Sequence, residues 1–270
     1  MNILIEILSY PFMQRAVVVG VLVSLCAALL GVSLVLRRYA MIGDGLSHVG
    51  FGALAIAAAL NTSPLKVTIP IVILAAFLLL RLSKSSKLKG DSAIALVSTG
   101  SLAIGVLIIS LSSGMNTDLN NYLFGSILAI SNEDMILSIA ISLAVLSLFI
   151  LFYNKIFSLT FDEKFAKASG MNTDRFNILI AVLTAVTIVV GMRLLGSMLI
   201  SALIIFPALS AMRIFKSFLS VTISSAIISV ICFLIGIVIS YVYSVPTGAG
   251  IVCINLCAFI IMSIASKIKS

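Results

Sequence analysis

Met41-Ile-Gly-Asp44-Gly-Leu-Ser-His48-Val-Gly-Phe-Gly-Ala-Leu-Ala-Ile-Ala-Ala-Ala59 is an apolar stretch of membrane length that carries the chain's single histidine and, four residues before it, a carboxylate. Four residues make about one helical turn, so in a helix both side chains lie on one face. Ionisable groups at membrane depth are costly, and by default they mark an ion or substrate path. An imidazole beside a carboxylate is also a donor pair suited to zinc and related divalent ions. Each residue taken alone has a plainer reading. Asp44 would serve as a helix N-cap beside the headgroups, and His48 as a packed histidine bonded to a neighbouring carbonyl. Their spacing favours the pair. Gly43, Gly45, Gly50 and Gly52 crowd the same segment, which allows another helix to approach closely, a local break near an ion, or simple packing.

The rest of the chain explains why this stretch belongs in a membrane. Apolar residues make up 61% of the sequence and charged ones 10%, with a mean hydropathy of +1.29, whereas a soluble domain carries roughly a quarter charged residues. The apolar segments are long and unbroken, as helices require, and do not alternate as barrel strands do. The expected fold is therefore all-α: one transmembrane domain over residues 1–270, with about nine spans at 16–36, 41–60, 67–82, 93–111, 135–152, 176–191, 194–212, 218–241 and 248–265. The tight link Gly191-Met-Arg193 makes the sixth and seventh the least secure, so a count of eight stays open. Residues 1–15 lack the basic start and small-residue cleavage site of a signal peptide and read as an interfacial segment ended by Pro11.

Basic residues in short loops collect on the cytoplasmic side. With the N-terminus outside and nine crossings, all of the 17 lysines and arginines fall inside except Arg15, Lys66 and Arg193. That pattern predicts an outer N-terminus and a cytoplasmic C-terminus. It also explains the net charge of +8 as a basic face beside anionic lipid, so the charge does not point to nucleic acid.

Two segments break the pattern of spans. Residues 122–131 are apolar but too short to cross, which suits a re-entrant or outer-leaflet helix. In the cytoplasmic stretch 153–175, Phe161-Asp-Glu-Lys-Phe-Ala-Lys-Ala-Ser-Gly170 reads as a short amphipathic helix ended by glycine, either a solvated connector or a docking surface for a partner. Cys26, Cys232, Cys253 and Cys257 all lie in apolar spans and read as small hydrophobes, although Cys253 and Cys257 share a helix face. The sequence contains no GxxxxGK[ST] phosphate loop and no HExxH zinc-protease motif. It also has no nucleophile beside a spare base. It therefore gives no ground for ATP hydrolysis or other enzymatic chemistry by this chain.

Met41–Ala59 resembles the Gly-Asp-(Ala/Gly)-Leu-Ser-His signature of the ABC transporter permeases for zinc, manganese and iron. Later blocks resemble the same family in the same order: Leu123-Phe-Gly-Ser-Ile-Leu128, Phe161-Asp-Glu-Lys-Phe-Ala166, Val190-Gly-Met-Arg-Leu-Leu-Gly-Ser-Met-Leu-Ile-Ser-Ala-Leu-Ile-Ile-Phe-Pro-Ala208 and Val245-Pro-Thr-Gly-Ala-Gly250. The resemblance implies a type II importer permease in the cell (plasma or inner) membrane, working as a homodimer. Two ATP-binding subunits would dock on its cytoplasmic side, and an extracytoplasmic metal-binding protein would deliver the ion. Asp44 and His48 would be ligands on the path of a transported divalent ion, with no cofactor held permanently. Residues 207–218, including Pro207, Arg213 and Lys216, would take the place of the coupling helix, with Phe161 and Phe165 adding to that contact.

Donor chemistry adds a constraint of its own. Tetrahedral zinc takes four ligands, and one Asp with one His supplies two. A two-fold axis beside the pair would supply the others from a second copy, and a shared site that opens with subunit motion suits release. The donors favour zinc narrowly over manganese, with ferrous iron also acceptable. Two other classes of function remain open: a proton-coupled secondary transporter using Asp44 and His48 as a relay, and a membrane scaffold that recruits partners without transport.

Overall fold

Every long apolar run of the sequence is helical in the computed structural model, which describes residues 9–83, 90–111, 123–125 and 131–269. In chain order the helices are α1 (Pro11–Leu36), α2 (Ala40–Ala59), α3 (Pro64–Ser83), α4 (Gly90–Leu111), α5 (Asn132–Leu151), α6 (Tyr153–Phe161), α7 (Glu163–Ala168), α8 (Thr173–Leu195), α9 (Ile200–Ile214), α10 (Phe218–Tyr243) and α11 (Thr247–Lys269). No strand occurs among the described residues. Side-chain caps set several boundaries. Ser131, Asp162, Asn172 and Ser217 each accept a hydrogen bond from the backbone N–H three residues on, which satisfies a donor the first helical turn leaves free.

Eight of these helices are long and apolar enough to cross a membrane, and α9, with 15 residues, is the shorter exception. At 1.5 Å per residue α9 reaches only about 22 Å, short of a hydrocarbon core of about 30 Å. The expected break between the sixth and seventh segments also moves. Gly191, Met192 and Arg193 lie inside α8, which runs on to Leu195. The chain turns at residues 196–199 instead, where Gly196 has φ +83, a conformation that a β-carbon makes costly. At the N-terminus Ser9 is helical, the chain bends at Tyr10, and Pro11 opens α1. Its fixed φ and missing N–H cost nothing at the first helical position. Of the expected 1–15 interfacial segment, residues 1–8 lie outside the described residues, as does most of the expected re-entrant segment 122–131.

Helices α1, α2 and α8 form the buried middle of the bundle, whereas α3, α4, α5 and α11 bury far less of themselves. The outer helices expose Leu96, Leu107, Ile150 and Ile261, a surface that only lipid accommodates. Apolar surface gains little by leaving lipid, so helix contact here depends on close van der Waals packing at small residues. A β-carbon on Gly52 of α2 would stand 2.8 Å from the Ser101 carbonyl oxygen of α4, and one on Gly31 of α1 would strike the Ile204 carbonyl of α9.

The two ends of the bundle differ. At one, Arg37 pairs with Glu163 at 2.9 Å and Asn177 donates to the same carboxylate at 2.8 Å, tying the short α7 to the ends of α1 and α8. Phe157, Phe161 and Phe218 pack beside them as tilted and edge-to-face rings. At the other end Tyr10 meets Tyr241, and Arg193 pairs with Asp134 at 2.8 Å. Residues expected as one amphipathic helix over 161–170 divide in two. Phe161 ends α6, extended Asp162 caps α7, and Gly170, at φ +83, follows it.

Candidate functional site

Asp44 sits one turn inside α2, whose N-cap position is Tyr39. The capping alternative therefore fails, because the Asp44 carboxylate serves no backbone N–H at the helix start. It faces His48 instead, with Nε2 3.7 Å from Oδ2, a separation too long for a hydrogen bond but right for two groups turned toward one space. The His48 side chain is 15% exposed and that of Asp44 35%, so the pair opens outward from the single chain. His48 Nδ1 is buried without a hydrogen-bond partner among the described residues; the packed-histidine reading, which needs a carbonyl acceptor, finds none there. Ser47, between the two, donates to the Asp44 backbone carbonyl at 2.7 Å.

Sequence reasoning missed a third residue. Ser201, in the first turn of α9, donates from Oγ to Asp44 Oδ1 at 3.2 Å across 157 positions of sequence. The carboxylate is thus divided: one oxygen takes the serine and the other faces the histidine. Ser201 reaches Asp44 because the chain turns inside the bundle. Leu195, Gly196 and Ser197 are buried, and α9 begins beside the second turn of α2 while α2 runs on to Ala59. A buried turn must satisfy its backbone within the protein: Gly196 N–H donates to Met192 O at 2.8 Å and Met198 N–H to Leu123 O at 3.2 Å. A signal was available in Gly196-Ser-Met-Leu-Ile-Ser201, a glycine and two serines interrupting an apolar run.

The other sequence-predicted residues lie at the Arg37–Glu163 end, with one exception. Phe161 and Phe165 are exposed, at 59% and 67%. Lys216 lines an open cavity of about 530 Å³ together with Asn154, Phe157, Phe161 and Phe218. Arg213 stacks over Phe259 at 5.3 Å. Pro207 stands apart, buried inside α9, so only residues 215–217 of the 207–218 segment form a connector between helices. Cys26 and Cys232 are buried, Cys253 and Cys257 exposed, and all are free thiols. Among the described residues no three His, Cys, Asp or Glu side chains gather as a metal site, so Asp44 and His48 remain a two-donor set within one chain.

Hydrophobic spans around an ionisable pair, with a helix broken inside the bundle beside it, are the architecture of a membrane transport protein. The chain belongs to the ABC 3 transport family, whose model matches residues 9–266. It is 30% identical to the manganese transport system membrane protein MntC of Halalkalibacterium halodurans, covering 92% of this chain and 85% of that one. It is 29% identical to the high-affinity zinc uptake system membrane protein ZnuB of Haemophilus influenzae, over 93% and 97%. Among solved structures, PsaBC from Streptococcus pneumoniae in complex with Fab superposes with a TM-score of 0.88 at 28% identity, covering 100% of this chain and 99% of that one. The resemblance drawn from the sequence blocks is borne out: this is a multi-pass ABC permease.

Proposed function

We propose that this chain is the membrane subunit of an ATP-driven importer of divalent transition metal ions, and that the ion passes between Asp44 and His48 of two copies. The observation that carries the reading is the Asp44–His48 pair itself, turned to one space at 3.7 Å on the outward side of an otherwise buried helix. Two donors are half of a tetrahedral set, and a second copy related by a two-fold axis completes it with two imidazoles and two carboxylates. That donor set favours zinc, with manganese next, and relatives named for each metal accompany it.

ATP hydrolysis falls to two partner subunits on the basic, cytoplasmic face, where exposed Phe161 and Phe165 and the Lys216 cavity offer a docking surface. An extracytoplasmic binding protein delivers the ion at the opposite end, beside Tyr10 and Tyr241. The N-terminus lies outside and the C-terminus in the cytoplasm, as the distribution of Lys and Arg favours. A proton relay through the pair gains nothing from membership of an ABC family, in which ATP is the energy source. Reconstitution with the cognate ATPase and binding protein, followed by competition among zinc, manganese and iron for ATP-dependent uptake, tests the proposal. Undiminished uptake by Asp44→Asn would remove its basis, as would uptake without ATPase.

A further inference from the structure

We propose that Ser201 is a positioning residue that holds the Asp44 carboxylate to one metal-facing oxygen and thereby sets the metal preference of the site. This rests on the reading of Asp44 and His48 as ligands. Buried Thr160, Thr184, Thr187 and Thr222 each donate to the carbonyl four residues back in their own helix, the usual use of a hydroxyl within a helix, and buried Ser225 and Ser229 cross from α10 only to backbone carbonyls of α1. Ser201 reaches a carboxylate instead. It is 9% exposed, and its proton crosses from α9 to Asp44 Oδ1 at 3.2 Å, the only hydrogen bond to that carboxylate among the described residues.

The chemical consequence follows from carboxylate geometry. An oxygen that accepts a hydroxyl proton is a weaker metal donor, so Oδ1 is held back while Oδ2, on the His48 side at 3.7 Å, is left to bind. Two copies then present two imidazole nitrogens and two single carboxylate oxygens, the four-coordinate set that zinc takes. Without the hydroxyl each carboxylate is free to chelate through both oxygens. The set then grows toward six donors rich in oxygen, which suits manganese and disfavours zinc. The positions of α1 and α2 fix the serine's placement, since Gly31 and Gly43 both lie against Ile204, one turn further along α9.

The test is equilibrium binding of zinc and of manganese, each added alone as the chloride, to the purified permease with its ATPase subunits in lipid nanodiscs. Wild type, S201A, S201T and D44N are compared. Loss of an outer-shell partner typically weakens metal binding by about 10- to 100-fold, so S201A is expected to raise the zinc Kd about tenfold and the manganese Kd less. S201T, which keeps the hydroxyl, is expected to restore the wild-type ratio. The ratio of the two constants does not depend on how much protein is folded, so a merely structural role for Ser201 leaves it unmoved. D44N losing both metals while S201A keeps the wild-type ratio overturns the role of Ser201 alone, as does S201T behaving like S201A. D44N binding both metals as wild type overturns the metal-site reading itself.

Discussion

Cutting Glu163 back to alanine removes the anchor of α7. The Glu163 carboxylate takes Arg37 at 2.9 Å on one oxygen and Asn177 at 2.8 Å on the other, so one side chain fastens the short helix to both α1 and α8. The Arg37 side chain is 7% exposed, and Glu163→Ala would leave its charge without this partner. Removing one member of a fully buried pair costs about 3–5 kcal/mol. Because the Glu163 side chain is 37% exposed, water screens the pair and the expected loss falls to about 2 kcal/mol. For a chain of this size that corresponds to a drop of about 5 °C in the unfolding midpoint. Glu163→Gln, which keeps an acceptor for Asn177, should lose about half as much. The assay is thermal unfolding of purified permease in detergent, run as a double-mutant cycle with Arg37→Ala. A coupling energy of roughly 1–2 kcal/mol is expected. Coupling under about 0.5 kcal/mol, or Gln and Ala variants that unfold alike, would refute the assignment of α7's position to this carboxylate.

The Arg193–Asp134 pair is more deeply buried, at 13% and 14% exposure. Asp134→Asn should therefore destabilise by about 3–5 kcal/mol, while the double change Asp134→Leu with Arg193→Met should recover most of that in the same unfolding assay. In a tandem fusion of two copies, Asp44→Asn in one half should abolish ATP-driven metal uptake as fully as the change in both, because in the proposed site each copy would supply half of the donors; half-maximal uptake would refute a shared site. Phe161→Asp with Phe165→Asp should weaken retention of the ATPase subunits on affinity purification by about tenfold or more, consistent with loss of two exposed anchors, and Phe165→Asp alone, at a ring 67% exposed, should weaken it while leaving the unfolding midpoint of the permease unchanged. Gly52→Leu should cut the folded yield sharply on size-exclusion chromatography, since even its β-carbon would press to 2.8 Å from the Ser101 carbonyl, whereas Gly100→Leu, where nothing stands within 4 Å, should be tolerated.

Local information sufficed for much of this protein. Its helices follow from apolar runs that have no other way to satisfy their backbone in lipid. The Asp44–His48 pairing follows from the helical period, which holds wherever the helix packs. Caps at Ser131, Asp162, Asn172 and Ser217 are short-range contacts and were readable in principle. Family membership also lay in the linear order of motifs.

What the sequence left open was where helices stop against their neighbours and what faces each polar group across the bundle. Gly191-Met-Arg193 looked like a link because glycine and arginine interrupt an apolar run, yet α8 carries both, with Arg193 held by Asp134 from another helix. The turn falls at Gly196 because Leu123 and α9 supply backbone partners there. Pro207 was expected to begin the cytoplasmic coupling segment and is buried within α9. Ser201 meets Asp44 only because α1, α2, α8 and α9 close around one another. A contact across 157 positions leaves no period or spacing in the sequence, and only the packing of the bundle brings that hydroxyl to the carboxylate.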